Sequence, residues 1–146
     1  MSSANFRHCI TIDIRFGDMD AMGHVNNAKY LTYMEAGRIT YARDLGLWSG
    51  GAPGDVAPIM AKATIEYRLP LNLDDKAVEV YTRTSRLGNK SYDMEHLIVR
   101  QGDGVVAAYG LIVLVVYDYT RGESTAIPEA WRAKLAAYEP GLKKEN

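Results

Sequence analysis

From Phe6 to Phe16 the chain changes character at every step: Phe6, His8, Ile10, Ile12, Ile14 and Phe16 share one parity, with Arg7, Cys9, Thr11, Asp13 and Arg15 between them. A period of two predicts a long strand with one wet face. The alternation stops at Gly17-Asp18-Met19-Asp20-Ala21-Met22-Gly23, whose small and turn-favouring residues predict a loop. From Asn26 to about Leu45 the spacing becomes helical, with Tyr30, Met34, Gly37, Tyr41 and Leu45 on one stripe and Leu31, Tyr33 and Ala42 widening it. A stripe that broad predicts a largely enclosed helix. Gly37 inside it marks a close approach by another backbone, Asn26 or Asn27 suits the N-cap, and Gly46 suits the left-handed residue after the C-terminus. Glu35 and Arg38, three apart on the helix, predict an ion pair.

Ser49 to Pro58 is rich in glycine and proline and predicts a connection. Strands are then expected at Ile59–Leu69, Ala77–Leu87, Ser91–Gln101 and Val105–Tyr119, joined by the short links Asn72–Lys76, Gly88–Lys90 and Gly102–Gly104. Links of that size favour antiparallel neighbours, hence a meander. Leu111 to Val116 runs without polar interruption, which predicts cover on both faces from a second layer or a second subunit. Pro128 suits the first turn of a short terminal helix, and residues 140 to 146 are expected to fray. The elements add up to an α+β domain spanning residues 1–146, its antiparallel sheet curved around the mostly buried helix.

With 17 lysines and arginines against 18 aspartates and glutamates, the formal net charge is −1, so no global field draws nucleic acid or an anionic membrane. Cys9 is the single cysteine, which leaves no intramolecular disulfide or cysteine-built zinc site and fits a reducing cytoplasm. Met1 to Phe6 lacks the basic head and apolar run of a signal peptide, and Val105 to Tyr117 falls short of the roughly 20 residues of a spanning helix.

Chemistry concentrates between Asp18 and Tyr30, where two carboxylates, an imidazole and two amides meet a helix start. Carboxylates of exposed aspartates are ionised at neutral pH and can accept a proton from water or attack a carbonyl directly. The helix start supplies unpaired N–H groups and a partial positive charge able to stabilise an oxyanion. That pairing suits hydrolysis of an activated acyl group. Other chemistries fail on spacing. Met22 and Lys29 spoil a calcium loop, His8, His24 and His96 lack metal-ligand spacing, and there is neither a Gly-x-Ser-x-Gly elbow nor a Walker loop.

The stretch Phe16-Gly17-Asp18-Met19-Asp20-Ala21-Met22-Gly23-His24-Val25-Asn26-Asn27-Ala28-Lys29-Tyr30, followed by Glu35-Ala36-Gly37-Arg38 and echoed by Ile65-Glu66-Tyr67-Arg68-Leu69-Pro70, resembles hotdog-fold thioesterases of the 4-hydroxybenzoyl-CoA and acyl-ACP thioesterase superfamily. The resemblance implies the hotdog fold, a sheet wrapped around a long central helix, with subunits paired as a homodimer or a homotetramer and the active site at their interface. It places Asp20 at the catalytic carboxylate, as nucleophile or general base, and Asn27 at the residue whose backbone N–H holds the thioester oxygen. His24 matches a histidine of the acyl-ACP branch, either catalytic or orienting, while Met22 stands where that branch carries asparagine. Asp18 is expected to brace the loop.

A coenzyme A thioester brings phosphates, and Arg83, Arg86, Gly88, Lys90 and Ser91 offer cations, flexible backbone and a hydroxyl around one hairpin turn. The same residues also suit a plain solvated hairpin tip. Arg121 and Arg132 are further cations near the end. The function expected is hydrolysis of an acyl-CoA to free acid and CoA without a metal or other cofactor. A non-catalytic acyl-thioester-binding protein and an acyl-ACP thioesterase are the alternatives.

Overall fold

A computed structural model describes residues 1–47 and 56–145. The strands are β1 (His8–Asp13), β2 (Val56–Tyr67), β3 (Ala77–Leu87), β4 (Ser91–Arg100), β5 (Val106–Asp118), β6 (Glu123–Ser124) and β7 (Lys143–Lys144), with helices α1 (Asn27–Leu45) and α2 (Glu129–Tyr138). The sheet runs β1-β3-β4-β5-β2, with β6 on β5 and β7 on β3. The class is α+β, as the periodicity predicts.

The order departs from a simple meander. β3, β4 and β5 follow one another, but β2 pairs with β5 at one margin and β3 pairs with β1. Pro70 and a 3-10 turn at Leu73–Asp75, capped by Asn72 accepting from the Asp74 N–H, carry the chain away from β2. Pro58 falls inside β2, so the Ser49–Pro58 connection ends earlier than its composition suggests, and its other residues up to Asp55 lie outside the described ones. A strand at the margin tolerates the missing N–H.

Two compact units divide the chain: Met1–Arg38, Ile65–Thr82 and His96–Gly110 form the first, and Ile39–Thr64, Arg83–Glu95 and Leu111–Asn146 the second. In the first, β1 pairs antiparallel with β3 from His8 opposite Thr82 to Asp13 opposite Ala77. Asp18 ends that strand: its carboxylate accepts from the Arg15 N–H at 3.0 Å, closing a 3-10 turn at Phe16–Asp18. Phe16, expected in the strand, is therefore 83% exposed. Gly37 brings α1 onto β3, since a Cβ there would stand 2.7 Å from Thr82 Oγ1 and 3.0 Å from Val80 Cγ1. Arg38 faces His96 at 3.5 Å, and no Glu35–Arg38 ion pair forms among the described residues, because the helix turns Arg38 towards β4 and leaves Glu35 exposed.

Continuous burial falls on β4, where His96, Leu97, Ile98 and Val99 are all buried. β5 instead alternates: Ile112, Leu114 and Val116 are buried while Leu111, Val113 and Val115 remain half-exposed within the chain. Second cover for this run does not come from the chain's own described residues.

In the second unit α1 closes with a Schellman motif: the Leu47 N–H donates to the Ala42 carbonyl at 2.8 Å and the Gly46 N–H to the Arg43 carbonyl at 3.1 Å. Gly46 takes φ +69, as expected of it. Tyr41 and Glu139 are buried and bonded at 2.6 Å, tying α1 to the end of α2. The tail does not fray at Lys143–Lys144, which pair parallel with Arg86 and Leu87 of β3. The Glu145 N–H donates to the Leu87 carbonyl at 2.7 Å. The end of β3 beyond its pairing with β1 supplies main-chain partners that sequence polarity does not reveal. No helix among the described residues is long and apolar enough to cross a membrane.

His96 carries a pH consequence. Its Nδ1 lies 3.0 Å from Thr82 Oγ1, and burial first, then the Arg38 guanidinium, hold the imidazole well below its ordinary range, so it is neutral in the fold. In the unfolded chain it titrates near about 6.5. The unfolded state therefore takes the proton first. This contribution to stability is complete above about pH 6.5 and is lost as pH falls, by up to about 1.4 kcal/mol per pH unit. His96→Gln is expected to flatten the acid limb of urea-unfolding midpoints measured from about pH 7.5 down to about pH 5. Parallel limbs in the two proteins would remove His96 as the cause.

Candidate active site

The first unit holds a cavity of about 280 Å³ lined by Asp20, His24, Val25, Asn27, Tyr30, Tyr67, Arg68, Leu69 and Pro70. One wall is the loop before α1, and the other is the end of β2 and the residues that follow it.

Asp20 closes the loop on itself. Its Oδ1 accepts from the Met22 N–H at 2.8 Å and the His24 N–H at 3.1 Å, while its own N–H donates to the His24 carbonyl at 2.7 Å. Gly23, at φ +79, makes the reversal possible. Oδ2 has no hydrogen-bond donor among the described residues. The carboxylate is thus pinned by one oxygen and leaves the other without a donor among the described residues, an arrangement chemically suited to a base or nucleophile.

Asp18 belongs to the frame. Besides Arg15, its Oδ2 accepts from the Tyr33 hydroxyl at 2.7 Å, and Lys29 Nζ lies 3.9 Å from its Oδ1. Burial, followed by the bond to Asp18, pushes the Tyr33 phenol well above its usual range, so it stays a donor. The Asp18 carbonyl also accepts from the Asn26 N–H at 2.8 Å, which positions the helix start.

Asn26, not Asn27, is the cap: its Oδ1 accepts from the Ala28 N–H at 2.9 Å, and its carbonyl accepts from the Lys29 N–H at 2.8 Å. The Asn27 N–H has no acceptor among the described residues, and Asn27 lines the cavity. Two residues that each keep an uncommitted polar group, Asp20 its Oδ2 and Asn27 its N–H, therefore line the same cavity. His24 joins them through its position, exposed at the rim, while its backbone rather than its ring bonds the loop.

Tyr30, Tyr67 and Arg68 were not singled out by residue chemistry, although the Ile65–Pro70 segment carries part of the family likeness. The signal lies in its outcome: the Arg68 and Leu69 N–H groups both donate to the Ala107 carbonyl, at 2.8 and 3.1 Å, which holds the segment against the end of β5. The Tyr67 hydroxyl donates to the Asn27 carbonyl at 2.9 Å.

The expected coenzyme A residues all lie in the second unit and meet at the β3–β4 hairpin. Arg83 pairs with Glu95 at 2.9 Å, and Arg86 with Asp93 at 2.7 Å and Glu145 at 3.5 Å. Arg86 also donates to Ser91 Oγ at 3.1 Å. The Gly88 N–H closes the turn onto the Ser91 carbonyl at 2.7 Å, and Arg132 holds the Gly88 and Asn89 carbonyls. Lys90 is exposed, with no side-chain partner among the described residues. Arg121 is engaged by Asp118 and Glu123. Among the described residues no group of three or more His, Cys, Asp or Glu side chains is placed to hold a metal ion.

Known proteins are similar to this chain in sequence and in fold. A thioesterase from Thermus thermophilus, solved with coenzyme A and zinc, superposes with a TM-score of 0.81 at 37% identity, covering 94% of this chain and 98% of that one. The long-chain acyl-CoA thioesterase FadM of Escherichia coli (strain K12) is 27% identical over 85% of this chain and 93% of its own length. Protein THEM6 of Danio rerio is 30% identical over 77% of this chain, which spans only 54% of that protein. A family model for the thioesterase-like superfamily matches residues 14–135; the match takes in the Asp20 loop, all of α1 and the Tyr67 wall, and with it the chain belongs to the thioesterase-like superfamily and has the hotdog fold.

Proposed function

We propose that the chain hydrolyses acyl-CoA thioesters, with Asp20 as general base or nucleophile and the Asn27 N–H as an oxyanion donor. The observation that carries this reading is the shared cavity: it is lined by Asp20, whose Oδ2 has no donor among the described residues, and by Asn27, whose N–H has no acceptor among them. Water, or the Asp20 carboxylate itself, adds to the thioester carbonyl carbon, and the carbonyl oxygen gathers negative charge that the Asn27 N–H meets. Collapse of the adduct breaks the C–S bond. The departing thiolate takes up a proton and leaves as CoA, and on the nucleophilic route water then hydrolyses the acyl-aspartyl intermediate. His24 at the rim is available to orient the water or the leaving thiolate. One oxyanion donor is worth about 2.7 to 4 kcal/mol in comparable acyl transfers, which makes its placement decisive.

For the nucleotide end we assign the β3–β4 hairpin, with Lys90 and Ser91 at its turn. Arg83 and Arg86 are already balanced by Glu95, Asp93 and Glu145, so their part is to hold the hairpin and, for Arg86, to exchange a carboxylate for a phosphate. The functional unit is a homodimer or a dimer of dimers, which would cover the half-exposed face of β5 and the open margin of β2. The lone exposed thiol of Cys9 suits the cytoplasm.

The test is colorimetric thiol release from aromatic, medium-chain and long-chain acyl-CoAs. Cys9 reacts with the reagent once, so the expected signal is release far beyond the protein concentration. Thermal stabilisation by acyl-CoA without release would instead favour a binding protein, and release only from acyl carrier protein esters would reassign the substrate.

A further inference from the structure

We infer that Tyr67 is a positioning residue that aims the oxyanion donor of α1, an inference that rests on the thioesterase reading. Its hydroxyl donates to the Asn27 carbonyl at 2.9 Å from across the cavity. In an α-helix that carbonyl already accepts from the N–H four residues on, so Tyr67 occupies its second lone pair. The same peptide is held at its other end, where the Ala28 N–H donates to Asn26 Oδ1 at 2.9 Å. A peptide gripped at both N–H and C=O cannot tilt about its Cα–Cα line. The Asn27 N–H, one peptide earlier on the same Cα, inherits that orientation.

The clamp itself is well held. The Tyr67 ring meets Tyr30 edge-on, with centroids 5.0 Å apart and planes at 88°, and Tyr30 is buried. The Arg68 and Leu69 N–H groups share the Ala107 carbonyl at 2.8 and 3.1 Å, and the Val25 N–H donates to the Leu71 carbonyl at 2.7 Å. The segment after Tyr67 is thus held to β5 at Ala107 and joined to the opposite wall at Val25. Yet Tyr67 is 46% exposed, and a solvent-accessible hydrogen bond adds little to global stability. A purely structural duty is therefore a poor account of a hydroxyl that reaches over a cavity to one helical carbonyl. Small displacement of a donor, by contrast, is costly in an acyl-transfer transition state.

Tyr67→Phe keeps the ring against Tyr30 and removes only the hydroxyl. The expected result with the intact protein is a fall in kcat for acyl-CoA hydrolysis of about tenfold, an unchanged KM, an unchanged thermal midpoint, and faster amide exchange confined to Asn27–Tyr30. Unchanged exchange overturns the clamp whether or not the protein is active. Faster exchange with wild-type kcat overturns its part in the reaction, as does a loss of kcat that follows a loss of thermal stability. Absence of thiol release from the unaltered protein overturns the thioesterase reading and Tyr67's catalytic service together, while the exchange measurement still decides the clamp.

Discussion

Asp20→Asn is expected to lower kcat/KM for acyl-CoA hydrolysis by about 10²- to 10⁴-fold, the range over which a positioned base contributes. The substitution is nearly isosteric. Its Oδ1 can still accept from the Met22 and His24 N–H groups, so the turn that Asp20 closes is kept. What disappears is the negative charge and basicity of the second oxygen, on either mechanistic route. Binding of the CoA ester, followed by thermal shift, should therefore change little while thiol release collapses. Asp20→Ala makes the complementary case: it also strips the acceptor from two backbone N–H groups, so the loop loosens and affinity falls along with rate. Turnover by Asp20→Asn near the wild-type level across the acyl-CoA panel would take the reacting group away from this residue.

Glu139→Leu should be the most destabilising of the substitutions considered, by about 1 to 3 kcal/mol or more, because it removes the buried carboxylate that two donors share. Oε2 of Glu139 accepts from the Tyr41 hydroxyl at 2.6 Å and from the Thr84 N–H at 2.9 Å. Glu139 is 4% exposed and Tyr41 and Thr84 are no more so, so water cannot replace what is lost. The Tyr41 phenol is pushed well above its ordinary range by burial and then by Glu139, so it stays a donor to this carboxylate. Thr84 Oγ1 also bonds the Tyr41 oxygen, at 3.1 Å, so the loss spreads. Glu139→Gln retains one acceptor oxygen for both donors and should recover most of the stability. Urea midpoints read the difference, and equal midpoints for the Leu and Gln variants would show that the two donors find other partners.

The legibility of this protein was uneven, and the residues show why. Strand β3 matches its expected bounds, Ala77 to Leu87, because a strand's side-chain period is two and short polar turns flank it. α1 follows from its stripe of buried positions, Tyr30, Met34, Gly37 and Tyr41, and its ends from cap chemistry at Asn26 and Gly46. The Asp20 loop was legible because a carboxylate, a turn glycine and a capping amide are adjacent in the chain. All these features depend on contacts among near neighbours.

Partnership across distance was not legible. Alternation states which way a side chain points, not which strand it lies beside, so β2 was expected next to β3 and stands next to β5. Charge states that Arg83 and Arg86 are cations, not that Glu95, Asp93 and Glu145 already neutralise them. Polarity made Lys143 and Lys144 look like a loose end, although they pair with β3 through main-chain groups that any residue possesses.

The sequence by itself determined the α+β class, the long helix with its buried stripe and the carboxylate beside its amino end, since local sterics and hydrophobic periodicity decide each of these. Only the tertiary structure decided the strand order, the opposite wall of the cavity and the hold of Tyr67 on Asn27. Those contacts join residues far apart in the chain, and their hydrogen-bonding groups form only after the intervening loops have closed.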